Sequence, residues 1–177
     1  AHADTFSFCL NYKNDPIIVD TGISTYAISE KRDSERSTSA HNTVIINDQD
    51  SAEVWAGFRV GRRLEVNITK DDDHLICASH DGYRRFGTMV QRQLAFSEHQ
   101  VEIIDSLEKT NNIQISSKAL FHFHPNVKIE ALGNGRFLIN KSLEFQFRWH
   151  GGHRAWQFPW KRRPRETPWR PSEEEER

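Results

Sequence analysis

The feature that most constrains the fold is a period-two alternation of apolar and polar residues, clearest over residues 143–149. Leu143, Phe145, Phe147 and Trp149 alternate there with Glu, Gln and Arg residues. Such alternation is typical of a strand with one buried face. The sequence has no apolar helical stripe longer than a turn or two, and no internal repeat. We therefore predict an all-β fold, an antiparallel multi-stranded β-sandwich.

The predicted strands are short apolar runs that clusters of polar residues and glycines separate. The turn-forming residues 11–15 predict a hairpin between the first two runs, and Gly61 predicts a bulge. Residues 21–42 are polar and are predicted to form a long loop, which inside a compact domain is usually functional. The predicted strands cover residues 6–10, 16–19, 43–47, 58–68, 74–79, 89–96, 101–107, 113–124, 127–132, 137–140 and 143–149.

Composition favours a thin-cored, largely solvated domain, because only 36% of residues are hydrophobic and the mean hydropathy is −0.73. The net charge of −1 indicates no particular partner. The two cysteines, Cys9 and Cys77, are interpreted as buried free thiols, although a bridge between them stays open. No apolar run reaches membrane-spanning length. Because the chain lacks an initiator Met, we expect a fragment of a longer protein.

The chain divides at residue 150, where the strand pattern stops. Residues 1–150 are predicted to form one N-terminally truncated domain. Residues 151–177 combine a basic, Trp-containing stretch with a run of glutamates and are predicted to be a disordered tail. An alternative is that the Trp and Arg residues of this tail contact nucleic acid or an acidic glycan.

Three side chains at the edges of strand-like runs could bind a metal: His2, Asp20 and His41. Two imidazoles and a carboxylate suit a divalent cation, with zinc the first choice and other metals open. The residues span some forty positions, so only a folded sheet can bring them together. The alternative is that the histidines are polar residues at strand ends and that Asp20 caps a turn.

Several stretches of the chain resemble the C-terminal β-sheet domain of the heparinase II/III-like polysaccharide lyases. The most specific is the Arg-Ser-Thr-x-Ala-His-Asn-Thr block that begins at Arg36, and the likeness covers roughly residues 1–140. The stretches that carry it are residues 2–8, 18–22, 36–44, 46–55, 57–63, 80–83 and 121–125.

The resemblance implies a helical N-terminal toroid that faces this sheet domain across a cleft holding an acidic polysaccharide. Such proteins cleave uronate-containing chains by β-elimination, with a base, an acid and a group that stabilises the enolate-like charge. Most of these groups belong to the helical domain, so the fragment alone is expected to be inactive. The sheet domain often opens with His-x-His-Ala-Asp, whose second His matches His2, so the first would precede Ala1. In members with a metal, the zinc ligands match His2, Asp20 and His41.

Further candidates neighbour these residues in the sequence. Asp4 and Asn42 can hydrogen-bond an imidazole of the metal set, or form local turns instead. Arg36 can meet a uronate carboxylate, or be a solvated loop residue. Glu53 and Trp55 can line the cleft, with Trp55 stacking on a sugar, although core packing of this Trp is the alternative.

No residue of the chain is assigned a catalytic role outright. His80 and Tyr83 are the candidates, because a Tyr-His pair suits elimination, although nothing in the sequence brings them to the metal set. The partners implied are an acidic polysaccharide and the helical toroid of the same protein, with neither nucleic acid nor membrane. The resemblance also implies a bacterial protein that is periplasmic or secreted. The alternative function is a non-catalytic β-sandwich that binds carbohydrate or supports another domain.

Overall fold

The computed structural model describes residues 1–98, 100–150 and 153–159, with the backbone alone for residues 147–150 and 153–159. These residues are mostly strands, and the predicted all-β class is confirmed. One short α-helix, α1 (Glu30–Arg36), and two 3₁₀ turns, Thr38–Ala40 and Arg84–Phe86, lie among them. The strands are β1 (Leu10–Tyr12), β2 (Asp15–Ile18), β3 (Val44–Ile46), β4 (Glu53–Trp55), β5 (Arg59–Gly61), β6 (Val66–Asp71), β7 (Leu75–His80), β8 (Thr88–Phe96), β9 (Gln100–Lys109), β10 (Ser117–Ala119), β11 (Ile129–Gly133), β12 (Arg136–Ile139), β13 (Leu143–His150) and β14 (His153–Pro159).

The largest element is an eight-stranded antiparallel sheet in the order β11-β12-β13-β14-β9-β8-β7-β6. Three two-stranded sheets accompany it, formed by β1 with β2, by β3 with β10, and by β4 with β5. The first of these is the predicted hairpin, whose turn residues Lys13 and Asn14 both have positive φ. Two consecutive positive φ angles are typical of the tight turns that match strand twist.

The β1–β2 hairpin covers one face of the large sheet. On β9 every second side chain is buried, as the period-two pattern predicts. Burying an aliphatic side chain fully stabilises a fold by about 1.5–3 kcal/mol, so this contact is a major part of the core. Its buried members are Leu10, Ile17, Ile18, Val101, Ile103, Ile139, Leu143 and Phe145.

A second buried cluster lies where β3 packs against β8. It contains Val44 and Ile46 of β3, Val90 of β8, and Tyr83 from the turn between β7 and β8. Phe6, from the segment that precedes β1, packs on its rim. This cluster therefore fixes the chain on both sides of the 3₁₀ turn at Thr38–Ala40 to the large sheet.

A buried ion pair joins the large sheet to the segments above it. Arg92 on β8 and Asp105 on β9 stand opposite each other, and both are almost fully buried. The Arg92 guanidinium donates to both Asp105 carboxylate oxygens at 2.7 and 2.8 Å. It also donates to the carbonyl oxygens of Phe6 at 2.8 Å and of Asn42 at 2.7 Å. One side chain thus ties the sheet to the segments that carry His2 and His41.

The predicted long loop over residues 21–42 is wrong in its middle, which folds as α1. The helix begins at Ser29, whose hydroxyl accepts from the Arg32 amide at 3.2 Å. Its buried side chains are arginines instead of an apolar stripe, namely Arg32 and Arg36. A search for apolar periodicity therefore misses it.

Two strand predictions also need correction. Residues 58–68 form two strands in different sheets, β5 and β6, because the chain turns at Arg62, which has positive φ. Gly61 lies in regular register opposite Glu53, so the predicted bulge is wrong. Of residues 113–124, only β10 and an isolated bridge from Phe123 to Ile18 pair as strands.

The predicted tail is in part a strand. His153–Pro159 forms β14, which pairs with β13 on one side and β9 on the other, so the prediction that this stretch builds no sheet is wrong. The remainder of the predicted tail, residues 151–152 and 160–177, lies outside the described residues. Both cysteines are free, as predicted, but the prediction that they are buried is wrong, because Cys9 is exposed and Cys77 is half-buried.

Candidate functional site

The fold brings His2, Asp20 and His41 together. Asp20 follows β2, and His41 ends the 3₁₀ turn at Thr38–Ala40. The rings of His2 and His41 lie with their centroids 5.3 Å apart. The Asp20 Oδ2 lies 2.9 Å from Nδ1 of His41. Three residues that are distant in sequence thus form one cluster, here called the His2–Asp20–His41 cluster.

Asp20 orients the ring of His41. Its carboxylate accepts from the Gly22 amide at 3.0 Å, from the Ser7 hydroxyl at 3.1 Å and from His41. Burial alone would raise the pKa of Asp20, but these hydrogen bonds lower it below its usual value. An ionised carboxylate only accepts, so the Nδ1 of His41 carries the proton.

The remaining nitrogen of His41 is buried and has no hydrogen-bond partner. His41 is 1% exposed, and its Nε2 meets no donor or acceptor among the described residues. With the proton on Nδ1, this nitrogen presents a lone pair. Leaving such a group unpaired costs about 1–3 kcal/mol, so its retention indicates a use. A ligating imidazole typically donates its other N–H to a carboxylate, as His41 does to Asp20.

His2 is held in the neutral form that a metal requires. Its pKa is lowered, first by burial and then by the nearby His41, while Asp4 acts in the opposite direction. Asp4 is therefore close enough to influence His2 electrostatically. Among the described residues, no hydrogen bond joins the Asp4 carboxylate to either imidazole of the cluster, so that predicted contact stays a prediction.

The cluster is not arranged as a complete metal cage. Across residues 1–98, 100–150 and 153–159, no group of three or more His, Cys, Asp or Glu side chains could already hold an ion. Because Asp20 bonds Nδ1 of His41, its carboxylate and the free Nε2 lie on different sides of the ring. The donors fit a cation in type, with Asp20 orienting His41 in this arrangement.

Asn42 serves the scaffold. It is fully buried, and its amide donates to the carbonyls of Phe8 at 2.8 Å and Val19 at 2.9 Å. Its side-chain oxygen accepts from the backbone amide of His122 at 2.6 Å. These partners take up the amide, and none of them is an imidazole of the cluster. Asn42 therefore positions His41 through the backbone that the two residues share.

The substrate role expected of Arg36 does not fit its surroundings, and neither does the solvated alternative. Arg36 is completely buried. Its guanidinium donates to the carbonyls of Ala1 at 3.0 Å, Arg59 at 2.9 Å and Trp55 at 3.4 Å. The correction follows from these bonds, because the group faces main chain and not a cleft. Arg36 instead holds the β4–β5 hairpin beside the segment that carries His2.

The β4–β5 hairpin presents an exposed aromatic ring. Trp55 is 41% exposed, so the alternative of core packing does not hold. A Cβ added to Gly61 would lie 2.7 Å from the Trp55 ring, so the ring rests on this glycine. Glu53 stands opposite Gly61 and two residues before Trp55, on the same face. Glu53 and Trp55 thus form a polar and aromatic surface, here called the Trp55 face.

His80 and Tyr83 lie inside the protein, which corrects their candidacy as catalytic groups. Both are almost fully buried. The Tyr83 hydroxyl donates to the Val44 carbonyl at 3.1 Å, and His80 Nδ1 accepts from the Gly82 amide at 3.2 Å. Burial lowers the pKa of His80 to about 4 and raises the pKa of Tyr83 to about 12. Neither group can reach a substrate or exchange a proton near neutral pH.

Sequence reasoning missed an exposed aromatic pair beside α1. Tyr26 and Phe58 stack with ring centroids 6.4 Å apart, and both are largely exposed. The Arg32 guanidinium lies 5.2 and 5.1 Å from their ring centres. Tyr26 falls in a stretch interpreted as polar loop and Phe58 in one interpreted as a strand, so their pairing carried no sequence signal.

Comparison with known families gives one match. A model of the C-terminal domain described as heparinase II/III-like matches residues 1–173, which extends past residue 140 into the predicted tail. No curated protein matches the chain. Among the described residues, no helix is both long enough and apolar enough to cross a membrane.

Proposed function

The chain belongs to the heparinase II/III-like family through its C-terminal domain, and on this premise we propose that it is the sheet domain of a polysaccharide lyase acting on uronate-containing chains. The partners are the acidic polysaccharide and a helical toroid domain of the same protein. The observation that carries the proposal is the buried, unpartnered Nε2 of His41, with its ring held by Asp20 beside His2.

The proposed reaction is β-elimination. A base removes the C5 proton beside the uronate carboxylate, the C4–O bond breaks, and an acid protonates the leaving oxygen as the C4–C5 double bond forms. We assign the base and acid to the helical domain, since His80 and Tyr83 are buried. The sheet domain contributes one wall of the cleft, where the Trp55 face offers a ring to the sugars.

The His2–Asp20–His41 cluster is proposed to hold zinc. His2 and His41 would supply imidazole nitrogens, while Asp20 would either orient His41 or, by giving up its hydrogen bond, bind the ion itself. When bound, such an ion supplies a fixed positive charge and braces the segments it joins. In this chain the cluster's own role is to fix the wall of the cleft near Ala1.

Elemental analysis of the purified chain tests the metal. About one equivalent of zinc is expected, and His41→Ala should abolish it. The matched control is His74→Ala, an exposed histidine in the turn before β7, which should keep the metal. A folded, metal-free wild-type protein, or equal zinc in both variants, would contradict the zinc proposal.

Joining the chain to its helical domain tests the lyase. The two-domain protein should generate the unsaturated uronate, which absorbs in the ultraviolet, and the 177-residue chain alone should not. Activity of the isolated chain that survives His2→Ala would contradict the division of roles proposed here. The family likeness further supports a periplasmic or secreted bacterial protein, which cell fractionation of the source organism can test.

The second candidate function is a non-catalytic module that binds carbohydrate. The exposed ring of Trp55 favours it, because an aromatic face alone can hold a sugar without chemistry. Polysaccharide binding without elimination by the two-domain protein would favour this candidate over the lyase.

A further inference from the structure

Four arginines converge on one open pocket beyond the Trp55 face. Arg62 and Arg63 come from the turn between β5 and β6, and Arg84 and Arg85 from the 3₁₀ turn after β7. The pocket has a volume of about 360 Å³, and Leu64, Asp81 and Gly82 complete its lining. Four arginines and one acidic residue thus line this pocket, in a chain whose net charge is −1.

One of these arginines is fixed in place. Arg85 donates to the carbonyls of Gly82 at 2.8 Å and Asp50 at 2.6 Å. Its guanidinium also lies 4.7 Å from the centre of the Phe86 ring. The pKa of Arg85 is lowered, first by burial and then by the charge of Arg62. The pocket thus gathers four positive charges, which Asp81 and Glu53 offset only through long contacts to Arg84 and Arg62.

The other three arginines keep donors available. The Arg84 side chain is 85% exposed and reaches Asp81 only at 4.0 Å. Arg62 meets Glu53 at 3.5 Å, a long and exposed contact. Arg63 is exposed, and the structure gives it no acidic partner among the described residues. One rigid and three adaptable guanidinium groups suit an anionic group that arrives from solvent.

We propose that this arginine pocket binds the acidic groups of an anionic polysaccharide. Arg62 directly follows Gly61, on which the Trp55 ring rests, and contacts Glu53 of the same hairpin. A sugar stacked on Trp55 therefore places the next units of its chain at the pocket. This inference takes from the proposed function only the class of polymer that binds. The affinity of the pocket for anions requires neither the helical domain nor a metal.

The planar shape of a guanidinium group favours binding of a carboxylate over nonspecific attraction of small anions. Its paired N–H groups match the two oxygens of a carboxylate, whereas a lysine offers only a point charge. The four arginines described here are gathered at one pocket. Nucleic acid, which presents phosphates at regular intervals along a strand, is better served by a long basic track.

Binding of polyuronate oligomers to the 177-residue chain tests the proposal by titration calorimetry. The Arg63→Ala/Arg84→Ala variant should bind at least about tenfold more weakly, because it loses two charge-assisted contacts to the anion. The control, Lys31→Ala/Lys128→Ala, removes the same charge from exposed positions elsewhere and should bind within about twofold of wild type. Arg63→Lys/Arg84→Lys should restore only part of the affinity.

Each other result overturns the proposal. Equal losses in the arginine and lysine variants would assign binding to net charge, and no loss in either would remove the pocket from recognition. Tighter binding of single-stranded nucleic acid, lost in the same arginine variant, would assign the pocket to that ligand. A failure of the lyase proposal can be told apart from a failure of the pocket proposal. If the two-domain protein binds polyuronate through these arginines but produces no unsaturated uronate, the pocket proposal stands and the lyase proposal is wrong.

Discussion

Two pairs of residues, each containing one histidine, look alike in the sequence but differ in their surroundings in the folded protein. His80 with Tyr83 and His41 with Asp20 each combine an imidazole with a second titratable group. Both histidines are almost fully buried. In the first pair the Tyr83 hydroxyl and Nδ1 of His80 both bond backbone groups, whereas Nε2 of His41 has no partner among the described residues. Burial alone therefore does not separate a core histidine from a candidate ligand, and unused hydrogen-bonding capacity does.

Breaking the buried ion pair between Arg92 and Asp105 should have the largest effect on stability. Asp105→Asn leaves the Arg92 guanidinium buried with an uncompensated charge, and breaking such a pair costs about 3–5 kcal/mol. Urea unfolding at neutral pH measures the loss. Glu108→Gln, an exposed position on the same strand β9, is the control and should change stability by less than about 0.5 kcal/mol. Equal effects in both variants would contradict a special role for this pair.

Buried His80 should make the free energy of unfolding depend on pH. Burial lowers the folded pKa of His80 to about 4 from its usual value of 6.5, so its contribution to stability is present above pH 6.5 and is lost as the pH falls towards 4. One proton over that interval corresponds to roughly 3 kcal/mol.

Comparing urea unfolding at pH 7 and pH 5 isolates this term. His80→Gln should reduce the dependence, because the variant lacks the imidazole at this position, and His2, whose pKa is also lowered, accounts for part of what remains. His74→Gln, at an exposed position, should leave the slope unchanged. A wild-type slope that persists in His80→Gln would assign the dependence to other groups.

The strands were the predictable part of this fold, because period-two burial is written directly in the residues. On β9 the buried positions are Val101, Ile103 and Asp105, and β13 begins with Leu143 and Phe145 buried. The helix α1 was not predictable from apolar periodicity, since it buries Arg32 and Arg36, whose partners are carbonyls from distant segments. β14 was missed because its neighbours β13 and β9 supply the pairing that its own composition does not indicate.

The site was predictable in its members and not in their roles. His2, Asp20 and His41 were named together from residue type and family likeness, and they do lie together. Arg36 illustrates the limit, because the same guanidinium can bind a substrate carboxylate or three backbone carbonyls. Only tertiary contacts decide between these roles. The arginine pocket was hidden for the same reason, since its residues come from two turns that the sheets bring together.

For the pair formed by His41 and Asp20, the decisive change is Asp20→Asn. The variant loses an ionised acceptor of three hydrogen bonds, but Asp20 is about one-third exposed, so the stability loss should stay near 1 kcal/mol. Zinc affinity should fall about 10–100-fold, because His41 loses the partner that fixes its tautomer. Because the folded pKa of Asp20 is lowered, its stabilisation is present above the unfolded pKa and is lost as the pH falls through the folded value.

Competition with a chromogenic chelator measures this zinc affinity. Asp15→Asn, at an exposed position in β2, is the control and should bind zinc as the wild type does. If Asp20→Asn lowers stability by several kcal/mol and leaves zinc binding intact, the pair is structural in the way that His80 and Tyr83 are.

The smallest expected change in stability comes from Gly61→Ala, and it separates binding from folding most cleanly. Gly61 is not among the residues with positive φ, so alanine suits its backbone. The added Cβ would lie 2.7 Å from the Trp55 ring. Because this ring is partly exposed and can move aside, the free energy of unfolding should change by less than about 0.5 kcal/mol. The displaced ring should nevertheless weaken polysaccharide binding about threefold to tenfold, near the value of one aromatic contact. Trp55→Phe keeps an aromatic face and should bind more tightly than Trp55→Ala, whereas unchanged affinity in both Gly61→Ala and Trp55→Ala would remove the hairpin from recognition.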